Sequence, residues 1–179
     1  MSENIIIDNK KFKIYLTESQ IDKTVIRLSD KINQDYLDKE IYFLVVLKGA
    51  FIFAADLVRK LRMPCFVDFC NARSYGKQLF SSGKVSIKLN VDLIKNKNVI
   101  IIEDIVDSGL TLSELVKQIK AHEPESLEIA CLLSKPDLRK ININVKYIGL
   151  EIPPNFIVGY GLDYAEQGRE LPAIYGLEE

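Results

Sequence analysis

The stretch from Asn98 to Ser134 constrains this chain more than any other part of it. NVIIIEDIV at 98–106 is short, β-branched and almost wholly apolar until its acids, the pattern of a strand covered on both faces. DSGLT at 107–111 breaks that run as a turn, LSELVKQIKAH follows with helical periodicity, and LEIACLLS at 127–134 is a second buried strand. Strand, helix, strand in this order is a βαβ unit, which demands parallel strands and a right-handed crossover. The same pattern occurs earlier, with IYFLVVL at 41–47 as a strand, AFIFAADLVRKLR at 50–62 as a helix and CFVDFCNAR at 65–73 as a strand. The expected class is therefore α/β, a mainly parallel central sheet flanked by helices, with ligands at the carboxyl ends of its strands.

The remaining segments fit around that core. KFKIYL at 11–16 reads as a short strand. Thr17 with Gln20 makes a capping-box pattern, after which Ile21, Val25, Leu28 and Ile32 fall on one helical face. RSYGKQLFSSGKVSIKL at 73–89 reads as a long polar loop running into another strand, and loops of that length in compact domains carry function or are disordered. No repeat or Gly/Ser-rich linker divides the 179 residues, so one domain is expected.

Composition removes several function classes. Lys and Arg total 24 against 25 Asp and Glu, leaving no overall positive field to gather nucleic acid or anionic lipid. The basic pairs Lys95 with Lys97 and Arg139 with Lys140 lack interleaved aromatics and read as solvated charges. Cys65, Cys70 and Cys131 lack C-x-x-C spacing and His122 is the single histidine, which speaks against a zinc site or a disulfide framework and for buried thiols. No apolar run approaches the roughly 18 residues of a membrane span, and a cytoplasmic protein is expected.

The chemistry concentrates at residues 103–111. Glu103 and Asp104 close a dry strand and Asp107 opens the turn after it. Adjacent carboxylates are costly to desolvate, so they should face solvent, a divalent cation or the hydroxyls of a ligand. Ser108, Gly109 and Thr111, at a helix N-terminus, offer backbone N–H and hydroxyl donors to a phosphate. Hydroxyl-binding acids beside a phosphate cradle suggest a ribose 5-phosphate. The plainer alternative is that Asp107 and Ser108 cap the helix while Glu103 and Asp104 are solvated. The motif is neither a Walker loop nor a G-x-G-x-x-G turn.

IIIEDIVDSGLT resembles the phosphoribosyl pyrophosphate (PRPP) signature of the type I phosphoribosyltransferases. VLKGAFIFAADL, the pair Ser74-Tyr75, LLSK at 132–135 and EIPPNFIVGYGLDYAEQGREL narrow the resemblance to the hypoxanthine-guanine phosphoribosyltransferases, from about residue 10 to the C-terminus. It implies the type I phosphoribosyltransferase fold over 1–179, with a core at about 36–150 and a small hood formed by the N- and C-terminal segments, about 1–16 and 151–179. The implied reaction joins hypoxanthine or guanine to PRPP with Mg2+, releasing pyrophosphate and IMP or GMP. A homodimer or homotetramer is also implied, and neither nucleic acid nor a membrane as partner.

Roles follow position by position from the same resemblance. Glu103 and Asp104 match acids that hold the ribose hydroxyls, directly or with magnesium, and Asp107, Ser108, Gly109, Leu110 and Thr111 match the 5-phosphate turn. Asp107 matches the acid that accepts the N7 proton of the purine. Lys48 and Gly49 match a dipeptide with a non-proline cis bond, expected at Lys48-Gly49, that meets pyrophosphate together with Arg169. Lys135 matches the donor to the C6 oxygen, Phe156 the aromatic stacked on the base, and Ile157 a neighbour whose backbone reads the purine edge. Asp163 matches an acid near C2 and a second magnesium, while Ser74 and Tyr75 match the flap that closes over PRPP. Ser108, Leu110 and Ala50 depart from the commoner threonine, lysine and glycine, and leave the required donors in place. Two other readings are a 6-oxopurine enzyme with substantial xanthine activity and, from another class, a regulator of the same fold that binds RNA.

Overall fold

The computed structural model describes residues 3–71 and 93–178. Five strands, β3 (Ile41–Leu47), β4 (Cys65–Asn71), β5 (Asn98–Val106), β6 (Ser126–Ser134) and β7 (Tyr147–Glu151), form a sheet in the order β4-β3-β5-β6-β7. Every pairing in it is parallel. Over β3, β5 and β6 both faces are covered, which explains their continuous apolar runs, whereas Phe66, Val67 and Phe69 of the edge strand β4 are exposed. Ile41, Phe43, Val45, Ile100 and Ile102 pack on one face with α1 (Glu18–Asp35) and α2 (Phe51–Val58). Tyr42, Leu44, Val46, Val99 and Ile101 pack on the other with α3 (Leu110–Lys120). Alternation along each strand thus feeds two cores from one sequence run.

Helix α1 begins as its sequence predicts: Thr17 and Gln20 form a reciprocal capping box, and Ile21, Val25, Leu28 and Ile32 are buried. Helix α2 is shorter than the apolar pattern suggests, ending at Val58 rather than Arg62. The buried Asn33 side chain of α1 accounts for the difference, donating to the Lys60 carbonyl and accepting from the Arg62 N–H, so the freed backbone groups find partners without helical bonds. Pro64, which disfavours helical backbone at Met63, completes the stop.

A second, antiparallel sheet joins the two ends of the chain in the order β1-β2-β9-β8, from β1 (Asn4–Ile7), β2 (Lys10–Leu16), β9 (Ile174–Leu177) and β8 (Ile157–Val158). Its core is Phe12, Val158, Ala173 and Tyr175. Of these strands the sequence pattern had marked only β2, and it had not marked β7 in the main sheet. Cys70 and Cys131 are buried thiols, each pushed up to about 12 chiefly by burial, whereas Cys65 is half-buried. None of the described helices is long and apolar enough to cross a membrane.

Candidate active site

Three neighbouring strands of the parallel sheet end together, and their carboxyl ends carry the chemistry. Register places Glu103 opposite Cys131 and Val106 opposite Ser134, so the acids of β5 leave the sheet beside Lys135, the residue after β6. Lys48 and Gly49 follow β3 on the other side. The cis bond expected at Lys48-Gly49 lies one residue earlier, between Leu47 and Lys48. Neither bond involves proline, so no local propensity distinguishes them.

Glu103 and Asp104 are consecutive near the end of β5, and their carboxyl groups lie within hydrogen-bond reach of each other. Glu103 lines an open cavity of about 180 Å3 on the α3 side, together with Asp107, Ser108, Gly109 and Thr111. Asp104 faces Gly49 so closely that a Cβ on that glycine would overlap its carboxylate. Burial first, then the Asp104 charge, holds the Glu103 carboxyl well above the usual range, and burial also raises Asp104 against the opposing Ile105 N–H bond at 2.8 Å. Two acids that resist ionising together are hard oxygen donors short of positive charge. They fit a magnesium ion, which is commonly held by one or two carboxylates and completed by substrate oxygens and water. Among the described residues no group of three or more His, Cys, Asp or Glu stands ready to cage a metal alone.

The raised Glu103 carboxyl has a sign in stability. The folded state binds its proton more tightly than the unfolded state, so stability falls as pH rises from the ordinary carboxylate range through the raised value. Glu103→Gln is expected to stabilise the ligand-free protein at pH 8 by about 0.5–2 kcal/mol, the usual gain from relieving a functional site. Urea denaturation at pH 5 and pH 8 checks this, with a smaller pH slope in the variant.

The turn at 107–111 is not capped in the way the plainer sequence alternative required. Gly109, at φ 78°, is the N-cap of α3 and offers no side chain; the Ser108 hydroxyl reaches only the Leu110 N–H, at 3.4 Å. The Asp107 side chain, half exposed, instead stands 3.6 Å from the Lys135 ammonium, which is 7% exposed. Thr111 and Leu112, in the first turn of α3, line the cavity, where the positive end of the helix favours an anion.

The remaining predicted residues lie on the segment after β7. Phe156 is 44% exposed at the start of β8, with its ring edge-on to Tyr164 at 5.5 Å, while Ile157 is buried. Arg169 pairs with Asp163 at 2.6 Å and donates to the Gly161 carbonyl at 2.8 Å, and its buried Nε has no partner among the described residues. Its charge also lowers Asp104, opposing the effect of burial. The structure therefore gathers Lys48, Gly49, Glu103, Asp104, Asp107, Lys135, Asp163 and Arg169 around the strand ends. Phe156 and Ile157 sit on the adjoining antiparallel sheet, and Ser74 and Tyr75 lie outside the described residues.

Sequence reasoning missed Glu166. Its carboxylate bridges Lys48 at 2.9 Å and Arg169 at 3.2 Å, and these cations hold it below the usual carboxylate range. It is aimed there by a two-residue turn in which Ala165 and Glu166 both have positive φ, closed by mutual backbone bonds between Tyr164 and Gln167. Non-glycine residues in that conformation are uncommon and mark a functional constraint. The spacing of Asp163, Glu166 and Arg169, three apart, was the available signal. Arg139, read as solvated, is instead half-buried against Ser134, with one guanidinium nitrogen enclosed and without a partner among the described residues.

The phosphoribosyl transferase domain family matches residues 13–165. A hypoxanthine-guanine phosphoribosyltransferase of Aquifex aeolicus is 41% identical over 175 residues, covering 97% of this chain and 98% of its own. A hypoxanthine phosphoribosyltransferase of Buchnera aphidicola is 42% identical over 165 residues, covering 90% and 93%. Among solved structures, a hypoxanthine-guanine phosphoribosyltransferase from Bacillus anthracis superposes with a TM-score of 0.85 at 42% identity, covering 93% of this chain and 98% of the other. A hypoxanthine phosphoribosyltransferase from Staphylococcus aureus gives 0.86 at 38% identity, covering 93% and 91%.

Proposed function

The chain belongs to the hypoxanthine-guanine phosphoribosyltransferases, and from that membership we propose that it moves the 5-phosphoribosyl group of PRPP to N9 of hypoxanthine or guanine, giving IMP or GMP and pyrophosphate. One observation carries the base specificity. The Lys135 ammonium and the Asp107 carboxylate stand 3.6 Å apart, a donor beside an acceptor. The C6 oxygen and N7 are neighbours on one edge of a 6-oxopurine, and the tautomer with a proton on N7 presents an acceptor and a donor there. Adenine carries an amino group at C6 and meets the Lys135 ammonium with a second donor, so it is rejected.

In this reading Phe156 stacks on the base, the Ile157 backbone reads its edge and Asp163 stands on the C2 side. Glu103 and Asp104 hold the ribose hydroxyls, while residues 107–111 hold the 5-phosphate through backbone and hydroxyl donors. N9 attacks the anomeric carbon, the bond from that carbon to the pyrophosphate oxygen breaks, and the N7 proton passes to Asp107. Glu103 and Asp104 would hold magnesium and Asp163 a second magnesium, which when bound would supply positive charge to the departing pyrophosphate. Lys48, the Gly49 backbone and Arg169 receive that group, and the Arg169 Nε, without a partner among the described residues, is a donor in reserve for it. Ser74 and Tyr75 close the site from the flap. The chain works as one domain, 1–179, in a cytoplasmic homodimer or homotetramer.

The test is a spectrophotometric assay with PRPP against hypoxanthine, guanine, xanthine and adenine, with magnesium and with a chelator. Turnover of the first two, abolished by the chelator and negligible with adenine, supports the reading. Silence with all 6-oxopurines refutes it, and xanthine turnover equal to that of guanine would assign the broader substrate range.

Glu166 yields a further expectation. It occupies the two cations assigned to pyrophosphate, so a ligand must displace it. Glu166→Gln is expected to lower the KM for pyrophosphate in the reverse reaction by roughly two- to fivefold, the modest scale of exposed ion pairs. The gain should shrink as salt is raised, because screening already weakens the native contact. An unchanged KM at low salt would separate Glu166 from the pyrophosphate site.

A further inference from the structure

Residues 135–141 wrap beneath the 107–111 turn. The Ser108 carbonyl accepts from the Lys140 and Ile141 N–H groups at 3.1 and 3.3 Å, and the Lys135 N–H donates to the Val106 carbonyl at 3.0 Å. Inside this wrap lies Arg139. One guanidinium nitrogen, Nη2, donates to the Oγ of Ser134, a side chain 1% exposed, at 3.0 Å. The other, Nη1, is enclosed without a partner among the described residues and lies 3.7 Å from where a Cβ on Gly109 would stand.

Three features leave Arg139 itself uncompensated, although Glu103 and Asp107 line the cavity above the turn. Among the described residues no carboxylate lies within ion-pair distance of Arg139, although buried cations are ordinarily paired. Gly109 is the N-cap of α3, so the guanidinium sits at the positive end of the helix dipole, an unfavourable placement for a cation. Its enclosed donor is an unmet hydrogen-bonding group, which costs free energy for as long as it stays so. One dianion in the cavity above the turn relieves the first two together.

We propose that Arg139 is a positioning residue for the 5-phosphate: from behind Gly109 it braces the turn against Ser134 and supplies the positive charge beneath it. The inference rests on the assignment of residues 107–111 to the 5-phosphate and adds a residue that does not line the cavity. Arg139 acts through the turn and has no part in the transfer step.

Binding of GMP and of guanosine, measured by calorimetry on the full chain, isolates the phosphate contribution. Arg139→Met keeps the stem and removes the charge. It is expected to weaken GMP about tenfold while guanosine stays within about twofold, and to raise the KM for PRPP with kcat little changed, since charge-assisted contacts are roughly twice as strong as neutral ones. Arg139→Lys, which restores charge without the fork, should recover part of the loss. A merely structural role would weaken GMP and guanosine alike and lower kcat with the melting temperature. A wild-type ratio of GMP to guanosine affinity in a folded Arg139→Met protein overturns the proposal. Should that variant not fold, the ratio in Arg139→Lys decides: unchanged, it overturns the proposal; reduced severalfold, it supports it. Equal affinity of the wild type for GMP and guanosine would instead overturn the 5-phosphate assignment itself.

Discussion

Asp107→Asn is expected to lower kcat for hypoxanthine by roughly 10²- to 10⁴-fold, the range attributable to a positioned proton acceptor. The amide cannot take the N7 proton and turns a donor toward it if its nitrogen faces the base. The KM for hypoxanthine should move far less, because the Lys135 contact to the C6 oxygen and the stacking on Phe156 remain. Folding should change by under about 1 kcal/mol, since the Asp107 side chain is 48% exposed and ion pairs open to water contribute little. Steady-state kinetics alongside a urea melt distinguish the cases: kcat within threefold of wild type removes Asp107 from proton transfer, while a large stability loss would attribute the defect to folding.

How much of this was legible before the fold was known differs by element. The unit from Asn98 to Ser134 could be read because its signals are local: apolar runs of strand length, a turn, and helical spacing, all within 37 residues. The β1–β2 hairpin passed unmarked although its signal was present. Asp8 and Asn9, at φ 46° and 61°, form a two-residue turn with both central residues left-handed, the geometry Asp and Asn tolerate best after glycine. Strand β9 is four residues long and pairs with β2 across most of the chain, so no local window contains that partner, while β8, with β9 its neighbour, is two residues long and too short to carry a period. The overlong reading of α2 has another cause. Apolar spacing continues past Val58, but Asn33, contributed by a different helix, takes the backbone groups that would have extended it.

The site divides in the same way. Glu103, Asp104 and Asp107 are consecutive or nearly so, and three acids ending an apolar strand announce themselves. Lys135 and Asp107 are 28 residues apart, and their pairing follows only from parallel register between β5 and β6. Glu166 and Arg139 gain their roles from what lies opposite, Lys48 in one case and the Ser134–Gly109 junction in the other. Composition sees only one more carboxylate and one more arginine.

The interlock of two glycines with Asp104 gives the second large effect, and it joins folding to chemistry. Gly161 has φ 96°, and a Cβ there would collide with the Gly49 carbonyl, while a Cβ on Gly49 would collide with the Asp104 carboxylate. The Gly161 backbone is also tied to Arg169 in both directions, accepting from its guanidinium at 2.8 Å and donating to its carbonyl at 2.9 Å. Contact without side chains is therefore what seats the segment bearing Asp163, Glu166 and Arg169 against the ends of β3 and β5. Gly161→Ala is expected to cost about 2–4 kcal/mol, combining a strained conformation with backbone displacement. Because the shift moves Arg169 away from Lys48, kcat/KM for PRPP should fall by about 100-fold or more, as misplacements near 1 Å commonly do. Gly176→Ala is the control: its Cβ would meet Tyr15 at an ordinary 3.8 Å, and its stability and kinetics should stay near wild type. Loss in Gly161→Ala of under about 1 kcal/mol, with PRPP kinetics intact, would show that the segment is held by its ion pairs instead, of which Arg169–Asp163 is the least exposed.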